Sequence, residues 1–389
     1  MTVRLKPLDQ QTIVITGASS GIGLATARDA AKAGARVVIV SRNAGDLETI
    51  AREITESGGQ ALAVAADVSK REDVERVARE AIQRFGGIDT WVNDAAVALY
   101  GTLEKIPLED QRHLFDVNYW GVVHGSLVAA GHLRKSGGAL INIGSVLSDR
   151  AMIDQGQYSA SKHAVRGFTD ALRMELEREG APISVTLIKP AAINTPYPEH
   201  ARNYLDAPSP MVPPPTYDPH VVARAILHAA TSPTRALVVG FGGWAISLFG
   251  NLFPPLADLV MEATGRASQT TQAPGRREMR DNLYEPRQDG AEHSVISNTH
   301  RRSSLLLEAQ MRPLTTLALV VGLGFAAFSL LRPTRAEGRD HDRRMAENYR
   351  RYRETRRQAG NGHDQPTMGP GGYPNRAPDR SAHDRRMGN

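Results

Sequence analysis

Between Thr12 and Thr16 a β-branched run, Thr-Ile-Val-Ile-Thr, passes without a spacer into Gly17-Ala-Ser-Ser-Gly21-Ile-Gly23 and then into an alanine-rich helical stretch. A strand, a glycine turn and a helix in that order aim backbone N–H groups from a helix N-terminus. Glycine there lets a pyrophosphate approach with no Cβ in the way. Gly17, Ser19, Ser20, Gly21, Ile22 and Gly23 are therefore candidate dinucleotide contacts. The spacing is G-x-x-x-G-x-G, and taken alone it also suits an ordinary strand-to-helix turn.

The unit then repeats. Arg36 to Val40, Ala61 to Ala66, Thr90 to Val92, Ala139 to Ile143, Ile183 to Ile188 and Ala236 to Val239 read as further strands with helical stretches between them. This rhythm predicts a parallel sheet covered on both faces, with ligands beyond the carboxyl ends of the strands. Chemistry-bearing residues stand at those ends. After the second strand comes Ser41-Arg42-Asn43, with no carboxylate to bond the ribose 2′-OH of NAD and an arginine suited to the 2′-phosphate of NADP. NADP(H) is expected over NAD(H), the alternative being that Arg42 only caps a strand. Asp67-Val68 follows the third strand, placed either to accept from an adenine amino group or to cap the next helix.

Tyr158-Ser-Ala-Ser-Lys162 follows the fifth strand and Ser145. On a helix, Tyr158 and Lys162 lie at i and i+4, so phenol and ammonium share a face. Bringing a phenol from its usual pKa of about 10 towards neutrality takes about 3 to 4 kcal/mol. One ammonium about 4 Å away at an effective dielectric near 20 supplies about 4 kcal/mol. The lysine is thus the right size of perturbation, although such a pair more commonly marks a solvated helix face.

Taken in order, TGASSGIG, Asp67-Val68, Asn93-Asp94-Ala95-Ala96, an asparagine in a mid-chain helix, Ser145 ahead of YSASK, and a proline-containing strand end with Thr195 resemble the short-chain dehydrogenase/reductase family. The resemblance covers residues 9 to 240. It implies a doubly wound seven-stranded parallel sheet, a Rossmann fold, with Asn118, Ser145, Tyr158 and Lys162 as the catalytic set. Tyr158 would exchange the proton and Ser145 would position the carbonyl or hydroxyl. Lys162 would lower the tyrosine pKa and hold the nicotinamide ribose, and Asn118 would anchor a proton-relaying water chain. Asn93, Ala95, Pro190, Ile193 and Thr195 would join the cofactor contacts, together with Tyr158 and Lys162. Two positions depart from the family pattern. Ala96 and Ala191 stand where glycine is usual, each adding a methyl where backbone approaches the cofactor.

These features place a catalytic domain at 1–264. Within it, the proline-rich stretch between Ile193 and Pro219 is expected to be a lid over the substrate. Residues 241–261 form an almost uncharged Trp, Phe and Leu platform, split into two short helices at Pro254-Pro255, suited to a bilayer, a second subunit or self-docking. Residues 265–310 read as a polar linker. Residues 311–332 contain eighteen uncharged residues, Leu314 to Leu331, about 27 Å as a helix against a hydrocarbon core of about 30 Å. A membrane span or anchor is expected there, or else an oligomerising helix. The tail, 333–389, is rich in Arg, Gly and Pro and is expected to be disordered, with anionic lipid as a candidate partner.

Charge and composition narrow the functions. Residues 332–389 hold 14 Arg against 8 acidic residues, a surplus of six out of the net +5. The remainder is near −1, so no basic face for nucleic acid is expected on the folded part. The chain has no cysteine, which removes disulfides and thiol catalysis, and the twelve histidines show no metal-ligand spacing. The polar N-terminus lacks an apolar signal region, which favours a cytoplasmic catalytic domain. The expected function is an NADP(H)-dependent oxidoreductase interconverting alcohol and carbonyl on a lipophilic substrate. The rival is a membrane-tethered nucleotide-binding sensor or scaffold with little turnover.

Overall fold

The strands are built from residues that alternate between two cores. Ile13 and Ile15 pack on one side of the sheet while Val14 packs on the other, and Val37 and Ile39 alternate with Val38 and Val40 in the same way. This is the two-residue period of a pleated strand buried on both faces. In the computed structural model, which describes residues 3–206, 209–271, 280–287, 290–296, 300–331 and 335–359, seven such strands form one parallel sheet.

In chain order the elements are β1 (Thr12–Thr16), α1 (Gly21–Lys32), β2 (Arg36–Ser41), α2 (Ala44–Glu56), β3 (Gln60–Ala65), α3 (Arg71–Phe85), β4 (Thr90–Asn93), α4 (Leu108–Phe115), α5 (Gly121–Ser136), β5 (Gly138–Ile143), α6 (Gly156–Arg178) and β6 (Ile183–Pro190). They are followed by the one-turn α7 (Tyr197–His200), α8 (Pro219–Thr231), β7 (Ala236–Val239), α9 (Phe241–Leu252), α10 (Pro254–Gln269), α11 (Leu305–Met311), α12 (Pro313–Leu331) and α13 (Arg335–Ala359). The spatial order is β7-β6-β5-β4-β1-β2-β3, every neighbouring pair parallel. Strand order reverses between β1 and β4, which opens the crevice in which such folds bind dinucleotides. Helices α1 and α8 cover one face, and α3 and α6 contribute to the core on the other.

The chain forms two units, Met1–Leu317 and Ala318–Asn389. Three expectations about the C-terminal third are corrected. Pro254-Pro255 does separate two helices, but α10 is sixteen residues long, running past the platform to Gln269, which is buried and donates to Ile153 O and Gly265 O. The polar segment 265–310 is no free linker in its described parts, since Leu283 and Leu307 are fully buried and join the two cores. In the tail, α13 occupies Arg335–Ala359 where disorder was expected, its arginines interleaved with acidic residues at helical spacing; residues 360–389 lie outside the described part.

The hydrophobic stretch is one helix, α12, and leaves Leu314, Leu323 and Phe325 exposed. Among the described residues no single helix is long and apolar enough to cross a membrane. Leu305–Met311 and Pro313–Phe328 satisfy that test only as a pair bent by 111°. Among the described residues, the expected single-helix span is therefore not found.

Candidate active site

Tyr158 and Lys162 lie in the first two turns of α6, and Ser145 caps the short turn after β5, its Oγ accepting from Leu147 N–H at 3.0 Å. All three line one cavity of about 370 Å³ at the carboxyl ends of the strands. The Ser145 and Tyr197 hydroxyls share this cavity with the Tyr158 hydroxyl, and both act to lower its pKa. Tyr197 also stacks edge-on with Tyr158 at 5.4 Å between centroids and donates to Gln155 Oε1 at 3.0 Å. Tyr197, on α7 beside the proline-rich loop, was not anticipated from the sequence. Lys162 is buried, its Nζ 2.8 Å from Ile143 O and 5.6 Å from the centre of the Tyr158 ring.

The electrostatics run against the expectation. Burial pushes the Tyr158 hydroxyl above its ordinary value, and the Asp94 carboxylate pushes it further, against the two hydroxyl contacts. Burial lowers Lys162, and Asp94 is the charge that opposes this. Asp94 itself is raised by burial, held back by Lys162 and by Gly23 N–H. The positive charge of the lysine is thus offset by the negative charge of Asp94, and its net field on the phenol is correspondingly reduced.

Asn118 is fully buried and sits in a five-residue π-helical turn, Asp116–Trp120, that joins α4 to α5. Its Oδ1 accepts from Val97 N–H at 2.8 Å, and its Nδ2 donates to Val97 O at 3.0 Å and Ser161 Oγ at 3.3 Å. A π turn of this kind interrupts the regular helical ladder and is frequent at functional sites.

Of the expected cofactor contacts, Gly17, Ser19, Ser20, Gly21, Ile22, Arg42, Asp67, Val68, Ala95, Pro190, Ile193 and Thr195 line the cavity. Gly17 has φ +74°, and a Cβ there would meet Ala95 backbone at 2.9 Å, so this turn requires glycine. Two residues do not line it. Gly23 is a packing position, where a Cβ would meet Gly17 O at 2.3 Å. Asn93 points under the sheet, accepting from Trp91 Nε1 and donating to Asn142 Oδ1, both at 2.8 Å. Asp67 is not the cap of α3, whose N-cap is Lys70. Its Oδ1 accepts from Ser69 N–H and Oγ–H at 3.0 and 2.8 Å.

The least expected arrangement concerns Arg42. Its guanidinium donates to the main-chain carbonyls of Asn282, Leu283 (3.1 Å) and Tyr284 (2.9 Å). Asn43 Nδ2 donates to Arg287 O at 3.0 Å, and Gly21 N–H donates to Ala291 O at 2.9 Å. A strap from the C-terminal third thus holds the donors expected to face the cofactor's adenine end, while Asn282, Pro286 and Arg287 enter the cavity wall. Leu283 secures the strap from below, and His113 meets its carbonyl at 2.9 Å. No sequence periodicity marks this, because the partners are about 240 residues apart.

The methyl of Ala191 also has a visible place. A side chain at Gly240 or Gly243 would meet it at 2.8 or 2.7 Å, so these glycines make room for the alanine at the start of α9.

Comparison with known proteins is decisive at this point: the family model for short chain dehydrogenase matches residues 11–205. The chain belongs to the short-chain dehydrogenases. It is 44% identical over 323 residues to the uncharacterized oxidoreductase YxnA of Bacillus subtilis (strain 168), covering 82% of this chain and 91% of that one. The 3beta-hydroxysteroid dehydrogenase 1 of Eggerthella lenta is 39% identical over 193 residues, which is 49% of this chain and 73% of that protein. An alcohol dehydrogenase from the archaeon Thermococcus sibiricus, solved with 5-hydroxy-NADP, superposes with a TM-score of 0.52 at 26% identity, covering 59% of this chain and 95% of its own. This short-chain dehydrogenase is an oxidoreductase that acts on CH–OH groups with NAD(P).

Proposed function

We propose that this short-chain dehydrogenase interconverts an alcohol and a carbonyl on a lipophilic substrate, uses NADP(H) in preference to NAD(H), and works at a membrane surface with its catalytic domain on the cytoplasmic side. The observation that carries the reaction is that Tyr158, Ser145, Lys162 and Tyr197 line the one cavity that the glycine turn also lines. The nicotinamide, when bound, supplies or takes up the hydride.

Tyr158 passes a proton to the developing alkoxide or takes it from the alcohol, and Ser145 Oγ holds the same oxygen. Lys162, fixed by Ile143 O, holds its ammonium beside the tyrosine. Asn118 stiffens the π turn and, from there, anchors a water path to Lys162. Gly17, Ser19, Ser20, Gly21 and Ile22 would hold the pyrophosphate, and Pro190, Ile193 and Thr195 the nicotinamide amide. The NADP(H) preference rests on a β2 end with arginine and no carboxylate at residues 41–43, with Arg287 also in the wall.

Support for a lipophilic substrate comes from the cavity lining, which includes Val146, Leu147, Met152, Val212, Ile246 and Met261. Ile246 belongs to α9, and there Phe241, Trp244, Leu252 and Phe253 are exposed without a charge between them. A contiguous apolar surface at a cavity mouth suits delivery from a bilayer. Paired assays with NADPH and NADH, over steroid, retinoid, long-chain and small polar carbonyls and with vesicles present or absent, test the proposal. The expected result is highest turnover on the apolar carbonyls with NADPH, and co-sedimentation with vesicles; highest turnover on small polar carbonyls would refute it.

A further inference from the structure

Away from the catalytic cavity, two histidines of the C-terminal third converge on one carboxylate oxygen of Asp218. Asp218 is the N-cap of α8, and its carboxylate divides its work. Oδ1 accepts the His220 N–H at 2.9 Å and closes the helix end. Oδ2 takes no part in the cap. It is approached by His300 Nε2 at 2.9 Å and His293 Nε2 at 3.3 Å. The two imidazoles stack at 5.1 Å with their planes 27° apart, and the three ligand atoms lie within 4.8 Å of one another.

The two histidine-to-carboxylate separations are close to those between ligands of one metal ion. Tetrahedral zinc with bonds of about 2.0 to 2.1 Å sets its ligand atoms about 3.3 Å apart, and two imidazoles with a carboxylate are a donor set zinc accepts. The residue behind His300 points the same way. Asn194 is 2% exposed, its Nδ2 lies 3.0 Å from His300 Nδ1, and its Oδ1 has no hydrogen-bond partner. A histidine that ligates through Nε2 carries its proton on Nδ1 and needs an acceptor there. Turning the Asn194 amide over supplies one, and because Oδ1 bonds to nothing, no acceptor bond is lost in the turn.

We propose that Asp218, His293 and His300 form a binding site for a divalent transition-metal ion of the zinc type, with Asn194 orienting His300 from behind. Water completes the coordination. The ion takes the place of the imidazole Nε2 protons now directed at Asp218, which pass to Nδ1 as the rings change tautomer, and it adds a bond between α8 and the C-terminal third. Its consequence for the protein is anchoring. Ala291, which caps Gly21 N–H, and Glu292, which pairs with Arg28 at 2.7 Å and His220 at 3.0 Å, immediately precede His293. The site therefore fastens the end of the strap that lies over the glycine turn.

The test uses the full-length protein stripped with a chelator and titrated calorimetrically with zinc chloride, with cobalt(II) absorption as a second probe. The expected result is one saturable site per chain, a raised melting temperature, and cobalt absorption bands of a nitrogen- and oxygen-ligated site. The double variant His293→Ala/His300→Ala, shown to be folded by circular dichroism, should lose that site. Asn194→Ala should weaken it about tenfold. Absence of saturable zinc binding by the wild-type protein overturns the proposal. So does undiminished binding by the double variant, since the ion would then sit on other histidines. Should the double variant not fold, Asp218→Asn decides: its amide oxygen still caps α8, and an unchanged zinc affinity overturns the site.

Discussion

The two ends of the cavity are built on different principles. At the Tyr158 end the working groups come from one helix and the strand end before it. Tyr158 and Lys162 are one turn apart on α6, and Ser145 follows β5 directly. At the Arg42 end the glycine turn and the β2 end are just as local, yet what they touch arrives from residues 282–291. The first end is set by helical spacing and sheet topology. The second is set by a long-range closure whose free energy comes from the buried Leu283 and from charge-assisted bonds to carbonyls. A locally specified end keeps its geometry when distant segments move, whereas the other end changes its hydrogen-bond partners.

Four experiments break or sharpen that contrast. The largest effect is expected from Tyr158→Phe, which removes the proton-exchanging hydroxyl and should lower kcat by at least about a thousandfold while NADPH binding, followed by fluorescence, is retained. Loss of both together would mean the two ends are one coupled unit. Next, Leu283→Ala should destabilise the strap by about 2 to 4 kcal/mol, read as faster proteolysis between residues 280 and 296. Turnover with saturating NADPH should hold, and an equal loss of kcat would show that the strap also builds the Tyr158 end.

Arg42→Ala comes third. It should weaken NADPH about tenfold or more and NADH by less, measured as the ratio of the two KM values. Equal weakening would mean that Arg42 serves only the strap carbonyls. The smallest effect is expected from Asp94→Asn. Asp94 raises the Tyr158 pKa, and alcohol oxidation needs the phenolate, so activity rises with pH as the tyrosine ionises. Removing the carboxylate should move that rise to lower pH, by about one pH unit. A profile that stays in place would show that Asp94 does not act on the phenol.

Much of this could be read from residues alone, and the limits have physical causes. The seven strands are legible because β-branched runs buried on both faces cannot be solvated. Gly17 is legible because a positive φ beside the Ala95 backbone excludes any Cβ. Gly23 and Asn93 carried the same kind of signal but went to packing and to a buried amide network. Motif membership does not reveal which way a side chain points. The polar composition of 265–310 suggested a linker, since the few apolar residues that anchor it, such as Leu283 and Leu307, are too sparse to show a period. The helical α13 was missed for the opposite reason: composition argued for solvation, and helical charge spacing is compatible with it.

What the sequence by itself determined is the parallel sheet, the glycine turn and the shared face of Tyr158 and Lys162, all consequences of short-range geometry. Tertiary structure alone decided that the charges of Asp94 and Lys162 act on each other, that Tyr197 packs edge-on against Tyr158, that Arg42 is held by backbone carbonyls, and that His293 and His300 meet Asp218. Each of those pairings joins residues tens to hundreds of positions apart. Their free energy depends on burial and on which partner arrives, and no local pattern encodes either.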